Sequence, residues 1–242
     1  MKKYPNLKFL LSQKEEVNTF VNFLKESETT FKKRDMEWAF FNPHPSLRVL
    51  KNSKLPSNIQ KEIVKKYIQG FYSKNKEIIK SKTLSIKNKW GEHKELFYQL
   101  VDKIFNNYPW PKGKYCAYPT IWGMYARDVK KKTFQFPYNH PQKNYPLIVI
   151  AHEMLHFIFY DYFIKKYPQY NKKKYSFYIW HISEIFNGII QNSFPWLKIF
   201  KITGQSYPEH QKIIKHLKKK YYTLPEAEKI ILDILNLLKE KN

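Results

Sequence analysis

Apolar residues recur at helical spacing through most of the first 110 residues. The pattern predicts a short strand at Leu7–Leu11, followed by amphipathic helices at Glu15–Lys33, Ile59–Ile79 and Lys94–Phe105. The apolar face of the first helix is expected to consist of Val17, Phe20, Val21, Leu24 and Phe31. None of these three helices carries a recognisable group of catalytic side chains.

The composition of the chain changes at Pro109–Gly113, where helix-breaking residues precede an aromatic stretch with high β propensity. Two segments of that stretch, Tyr115–Arg127 and Thr133–Tyr138, flank the polar run Asp128–Lys132, and this arrangement predicts a β-hairpin. One strand of the pair is a candidate edge that would hold a peptide through backbone hydrogen bonds. The alternative is a solvent-exposed hairpin that only packs aromatic side chains.

The last hundred residues contain two strongly apolar segments with helical periodicity. The stripe of the first segment consists of Ile148, Ala151, Leu155, Ile158 and Tyr162, at spacings of 3, 4, 3 and 4. The second segment predicts a helix at Tyr175–Gln191, and two further helices are expected at Lys212–Tyr222 and Pro225–Leu238. The expected core positions near the C-terminus are Leu224, Ile230, Ile231, Ile234, Leu235 and Leu238.

Composition favours a soluble globular protein. The 242 residues are 43% hydrophobic, which is enough for a sizeable core, and the single cysteine Cys116 excludes an intrachain disulfide. The apolar run Phe9–Leu11 is shorter than the roughly 7–15 residues of a signal peptide core. Leu147–Tyr160, the best candidate for a membrane span, contains two histidines and a glutamate. We therefore expect a cytoplasmic protein without a transmembrane segment.

The formal net charge of +24 favours contact with polyanions. The lysines cluster at Lys130–Lys132, Lys172–Lys174 and Lys218–Lys220. Specific recognition of phosphates and bases, however, favours arginine, and the chain has 41 Lys against 3 Arg. The low content of Ala and Gly also indicates an AT-rich codon usage, which enriches lysine without any ligand. We therefore expect at most a weak contact with nucleic acid or another anionic surface.

The most informative residues lie on the first apolar segment, where residues 152–156 read H-E-M-L-H. On a helix, residues four apart lie on one face, so His152 and His156 can bind one metal ion. Two neutral imidazoles suit Zn²⁺, and Glu153 is placed to act as general base toward a water that the metal activates. Independent draws from this composition give about 0.016 such motifs per chain. The alternative is that both histidines are polar groups whose hydrogen bonds are satisfied within the core.

A catalytic zinc normally takes three protein ligands, so another residue is needed. One face of the predicted helix at Tyr175–Gln191 is polar and consists of His181, Glu184, Gly188 and Gln191. Its other faces are rich in isoleucine, so a carboxylate buried there would be costly without a cation. Glu184 is therefore the first candidate for the third ligand, and His181 and Asp161 are the alternatives.

These residues resemble the gluzincin metallopeptidases, in which an H-E-x-x-H helix is followed by a second helix that supplies a glutamate. The resemblance covers roughly residues 115–192. It implies that His152, His156 and Glu184 bind zinc. It also implies that Glu153 takes a proton from the attacking water and transfers it to the leaving amine.

The chain departs from the gluzincin pattern beside the metal ligands. Many gluzincins carry an acidic residue four positions after the glutamate ligand, next to the first histidine, whereas this chain has Gly188. Asn187 or His181 would have to take over that contact. A developing oxyanion also needs a hydrogen-bond donor, for which Tyr207 and His210 are the candidates.

We therefore expect an α+β fold with one helix-rich, zincin-like domain over residues 1–242. Residues 1–110 would form a mainly helical N-terminal region, and residues 111–242 the catalytic part. There a small sheet or hairpin would pack on the H-E-x-x-H helix, and a helical C-terminal lobe would supply the third ligand.

The expected function is a zinc-dependent metallopeptidase that hydrolyses peptide bonds of a peptide or protein. One alternative is a DNA-associated metalloprotease like the SprT group, whose motif often reads H-E-M-x-H but whose H-G-x-x-F segment is missing here. The other is a catalytically inactive interaction module with a zincin fold.

Overall fold

A computed structural model shows a mostly helical chain with one small four-stranded sheet, which confirms the expected α+β class. The described residues are 4–27, 36–51, 54–223 and 225–239. The chain divides into two compact units, each built from separate segments. The sheet unit comprises Leu7–Lys87 and Tyr115–Pro141, and the helical unit comprises Met1–Asn6, Asn88–Lys114 and Gln142–Asn242.

The sheet unit contains all four strands. They are β1 (Leu7–Phe9), β2 (Tyr115–Thr120), β3 (Arg127–Asp128) and β4 (Thr133–Pro137). Their order across the sheet is β1-β2-β4-β3, with β1 parallel to β2, β2 parallel to β4, and β3 antiparallel to β4. The predicted strand near Leu7 is confirmed.

The predicted hairpin of Tyr115–Arg127 with Thr133–Tyr138 is wrong, because β2 and β4 run parallel. Parallel neighbours cannot be joined by a tight turn. Just after β2 the chain is bound to α1 instead of turning back: the Trp122 indole N–H donates to the Glu16 carbonyl at 3.0 Å. Only the two-residue strand β3 pairs antiparallel with β4. Both longer strands also lie inside the sheet, so neither is the edge expected to hold a peptide.

Helix α1 (Gln13–Ser27) confirms the beginning of the helix predicted at Glu15–Lys33, whose residues 28–33 lie outside the described ranges. Its apolar face packs into an aromatic core. The Phe20 ring lies 5.4 Å from that of Phe40 and 5.3 Å from that of Trp122. Phe40 belongs to a π-helical turn, Glu37–Phe41, and a 3₁₀ segment follows at Pro45–Leu50.

Helix α2 runs without a break over Ser57–Ile104, whereas the sequence predicted two helices separated by residues 80–93. The intervening residues contain lysines, Thr83 and Gly91, which interrupt the apolar pattern. In the structure the buried stripe continues through them as Ile79, Thr83, Ile86, Trp90 and Phe97. Burial along this face therefore outweighs the helix propensity lost at Gly91, which is about 1 kcal/mol.

Among the described residues, the helical unit contains five further α-helices. They are α3 (Tyr145–Lys166), α4 (Ser176–Gln191), α5 (Phe194–Phe200), α6 (Gln211–Leu217) and α7 (Ala227–Lys239). The helix predicted at Lys212–Tyr222 thus ends early, at Leu217. Of the expected C-terminal core positions, Ile230, Ile231, Ile234 and Leu235 are buried and Leu238 is half-buried, while Leu224 lies outside the described residues.

Helix α3 is buried on nearly all sides, whereas the sequence predicted a single apolar stripe. The stripe residues from Ile148 to Ile158 are buried, but so are Leu147, Ile150 and Met154. Among the described residues, α3 is the one helix long and apolar enough to cross a membrane. Most of it lies inside the protein, as in the core helix of a soluble protein.

The sheet unit also buries a carboxylate. Glu16 is 0% exposed and accepts hydrogen bonds from Tyr72 Oη at 3.1 Å, Thr120 Oγ1 at 2.6 Å and the Ile121 amide at 3.1 Å. Burial raises the pKa of Glu16 to about 7, although the three donors act in the opposite direction. The folded protein therefore binds this proton more tightly than the unfolded chain does.

This difference predicts a pH-dependent stability. A pKa raised from 4.5 to about 7 contributes on the order of 3 kcal/mol to the free energy of unfolding. That contribution is complete below about pH 4.5 and is lost as the pH rises through 7. Urea unfolding between pH 5 and 8.5 should show a steeper loss for wild type than for Glu16→Gln. The exposed Glu62→Gln should behave like wild type, and parallel pH profiles for wild type and Glu16→Gln would contradict the assignment.

Candidate metal centre

Helix α3 places the two histidines of the pentad on one face, as its sequence predicts. Pro146 lies in its first turn, where a missing backbone N–H costs nothing. One turn apart, the rings of His152 and His156 have centroids 4.6 Å apart, and their Nε2 atoms lie 2.9 Å apart. Both rings thus direct the same nitrogen toward a common point.

Helix α4 brings Glu184 to that point. Its Oε2 lies 3.3 Å from His152 Nε2, and its Oε1 lies 3.2 Å from His156 Nε2. The alternative third ligands have other partners: the Asp161 carboxylate accepts from Tyr108 Oη at 2.6 Å, and His181 is bonded to His210. Of the three candidates, Glu184 is the one that the fold brings to both histidines.

The spacing of the donor atoms suits a tetrahedral cation. Ligands that lie about 2.0–2.1 Å from zinc in a tetrahedral site are about 3.3 Å from one another. The distances among His152 Nε2, His156 Nε2 and the Glu184 oxygens are 2.9, 3.2 and 3.3 Å. Two imidazoles and one carboxylate are also a common ligand set of catalytic zinc. The chemistry and the geometry of this donor set therefore both suit Zn²⁺.

The charge of Glu184 also suits a cation. Its burial acts to raise the pKa, but the adjacent His156 and His152 outweigh burial and hold the pKa well below the usual range. The ionised carboxylate is the form that binds metal. Glu184 is therefore suited to be an anionic ligand in a largely apolar surrounding.

Two amide side chains of α4 contact His152 from behind. Asn187 Nδ2 donates to the His152 carbonyl oxygen at 3.1 Å, and the Gln191 amide nitrogen lies 3.1 Å from His152 Nδ1. The buried Gln191 Oε1 has no hydrogen-bond partner. Exchanging the amide nitrogen and oxygen gives Oε1 an Nδ1–H donor and leaves the Nε2 lone pair free for a metal. This exchanged orientation is the one compatible with a metal on His152 Nε2.

Two glycines determine how much space side chains have around these amides and next to His152. A Cβ on Gly188 would lie 2.4 Å from Ile214 Cδ1, so α6 packs directly on the backbone of α4 at this position. A Cβ on Gly204 would lie 1.8 Å from Gln191 Oε1. Gly204 therefore leaves the space that the Gln191 amide occupies beside His152. Sequence reasoning placed Gln191 on the polar face but gave it no role.

The site opens on the side of His152. The exposed fraction of that side chain is 18%, against 0% for His156 and 7% for Glu184. Glu153, the predicted base, follows His152 directly and is buried. Tyr160, one turn after His156 on α3, adds a half-buried phenol whose ring lies 6.1 Å from that of His156. The spacing of 152, 156 and 160 was the signal that would have found it.

The two predicted oxyanion donors, Tyr207 and His210, lie together next to α4. His210 Nε2 is 2.7 Å from His181 Nδ1, and burial lowers the pKa of both histidines. The Tyr207 ring packs on those of Trp180 and His210, with centroids 5.1 and 5.6 Å apart. His210 is buried and Tyr207 is partly exposed. Tyr207 is therefore far more accessible to a substrate than His210 is.

Known proteins add no independent identification. No family model matches the chain, and comparison with curated proteins and with solved structures finds no match either. The resemblance to gluzincins stays a hypothesis that depends on the residues and distances of this site.

The contact of Gln191 with His152 predicts an effect on metal affinity. Gln191→Leu removes the group that orients the imidazole and should weaken zinc binding about 10–100-fold. Gln191→Glu, whose oxygens only accept hydrogen bonds, should retain affinity close to wild type. Competition with a chromophoric chelator measures both, with the exposed Gln99→Leu as control. Equal losses for Leu and Glu would contradict the proposed amide orientation.

Proposed function

We propose that this protein is a zinc-dependent metallopeptidase of gluzincin type, which hydrolyses peptide bonds of a peptide or protein. The proposal is carried by one observation: His152 Nε2 and His156 Nε2 lie 2.9 Å apart, and each lies 3.2 to 3.3 Å from an oxygen of the Glu184 carboxylate. The helix geometry of the pentad and the ionised state of Glu184 support it.

The ligand set names the residues that would hold the ion: His152, His156 and Glu184. A bound zinc ion supplies Lewis-acid chemistry, which lowers the pKa of water and polarises a carbonyl. Glu153 accepts a proton from the attacking water and then donates it to the amine that leaves. Gln191 and Asn187 keep the imidazole of His152 in place during these steps.

The burial of the site favours this chemistry. His156 and Glu184 are almost fully enclosed by apolar helices, so charges there are poorly screened by water. A buried carboxylate that is fixed in position before the reaction needs no rearrangement when charge develops. The partly exposed side chain of His152 leaves a route by which a substrate can enter.

The lysine clusters bear on contacts with polyanions and not on the metal centre. Some of their charge is already paired: Lys131 Nζ lies 3.0 Å from an Asp128 oxygen, and Lys220 Nζ lies 2.6 Å from an Asp233 oxygen. Lys172–Lys174 are exposed and immediately precede α4, the helix of Glu184. We predict that this segment weakly attracts acidic substrates or polyanions. Such binding would decrease as the salt concentration rises.

The decisive experiment separates metal binding from proton transfer. Glu153→Gln should keep one zinc per chain, because no ligand changes, and should lower cleavage of casein or a peptide library about 10²–10⁴-fold. Glu184→Ala should lose both zinc and activity. Metal content by mass spectrometry and fluorogenic cleavage assays measure the two effects.

Glu226→Gln, at a partly exposed residue of the C-terminal helix region, serves as matched control and should behave like wild type in both assays. Undiminished cleavage by Glu153→Gln would exclude its role as base. Zinc binding without any cleavage, together with an unchanged biological activity of Glu153→Gln, would favour the inactive interaction module instead.

A further inference from the structure

The proposed zinc ligands leave a second pair of neighbouring histidines without a role. His181 lies on α4 one turn before Glu184, and His210 ends the 3₁₀ turn Pro208–His210. His181 Nδ1 and His210 Nε2 are 2.7 Å apart, which is a short hydrogen bond. Because burial lowers the pKa of both rings, both are neutral near pH 7 and one proton lies between them.

The surroundings of His210 decide which ring donates that proton. Its other nitrogen, Nδ1, is buried and has no hydrogen-bond partner. If His181 donated, His210 would carry its own proton on Nδ1, as a buried N–H without an acceptor, which is an expensive state. If His210 Nε2–H donates instead, His210 Nδ1 carries no proton. The pair is therefore best satisfied with His210 as donor and His181 Nδ1 as acceptor.

This arrangement fixes the proton of His181 on its far nitrogen. A neutral imidazole whose Nδ1 accepts carries its hydrogen on Nε2. Aromatic rings hold the imidazole in place, with Phe177 at 4.4 Å and Trp180 at 4.8 Å between centroids. His181 is half-buried, whereas His210 is only 2% exposed. His181 is thus a neutral donor that is packed by aromatic rings and is more accessible than His210.

Helix geometry places His181 on the face of α4 that carries Glu184. Residues three apart lie on one face and are separated by about 4.5 Å along the axis, and the charge of Glu184 is close enough to act on the pKa of His181. A negative charge that develops on a substrate carbonyl oxygen next to the ligands would meet an N–H donor from this side. Such a donor contributes only as the charge forms, which is the condition for a gain in rate.

We propose that His181 is a catalytic residue that donates its Nε2–H to the developing oxyanion, and that His210 is a positioning residue that sets this tautomer. The inference rests on the proposed peptidase function. It reassigns His210, which the sequence suggested as a direct donor and which is too buried to meet the substrate. No covalent bond forms or breaks at either histidine; only a hydrogen bond to the carbonyl oxygen strengthens.

The tautomer is tested in the zinc-free full-length protein, independently of activity. Long-range ¹H–¹⁵N correlation spectra distinguish Nδ1–H from Nε2–H imidazoles. We expect wild-type His181 as the Nε2–H form, and a mixture of tautomers in His210→Phe, which removes the donor. His210→Gln, whose amide can donate to Nδ1, should restore the single form. A wild-type His181 with its proton on Nδ1 would overturn the proposal.

The catalytic half is tested on the zinc-loaded enzyme. His181→Phe should keep zinc and lower kcat about 10²–10³-fold with little change in KM. The affinity for a phosphonamidate peptide, which mimics the tetrahedral oxyanion, should fall by a similar factor. The partly rescued His210→Gln should exceed His210→Phe in kcat, and the exposed His216→Phe should match wild type.

The outcomes separate this inference from the function on which it rests. Normal kcat in His181→Phe, or an effect on KM alone, would overturn the role of His181 while leaving the peptidase intact. If wild type binds zinc but cleaves no peptide, the proposed function fails and the catalytic role fails with it. The tautomer measurement would then still decide whether His210 controls His181.

Discussion

The structure of the candidate site depends on one costly feature, the ionised carboxylate of Glu184 inside a nearly apolar layer of helices. An isolated charge in such a place would be neutralised or expelled. Two imidazoles lie 3.2 and 3.3 Å from the carboxylate oxygens, and their Nε2 atoms approach each other to 2.9 Å. With both imidazoles neutral, the three groups offer lone pairs at one point, which is the arrangement that a shared cation would satisfy.

The packing around α4 follows from this requirement. Gly188 lets Ile214 reach the helix backbone, and Gly204 leaves room for the Gln191 amide, so close packing and polar support meet on one helix. The amides of Asn187 and Gln191 then restrain His152, the most exposed of the three candidate ligands. The two glycines thus matter because they leave space for the side chains that pack against the candidate metal ligands.

Two buried glutamates show how surroundings decide chemistry. Glu16 is surrounded by neutral donors, burial dominates, and its pKa rises to about 7. Glu184 faces two imidazoles, which outweigh burial, and its pKa falls. The first carboxyl binds a proton and supports the sheet unit, whereas the second stays charged and is suited to a metal. The neutral pair of His181 and His210 adds a donor that carries no charge of its own.

The sequence by itself determined the features that depend on local periodicity. These are α3 with His152 and His156 one turn apart, α4 with Glu184 on its polar face, and the α+β class. Only the tertiary structure decided how distant segments meet. These contacts include the parallel pairing of β2 with β4, the hydrogen bond from Trp122 to the Glu16 carbonyl, and the contact of Gln191 with His152, which uses the space beside Gly204. Helical spacing is a property of residues that are neighbours along the chain. Strand pairing and ring contacts instead involve groups far apart in sequence, whose hydrogen bonds must be satisfied by one another once water is excluded.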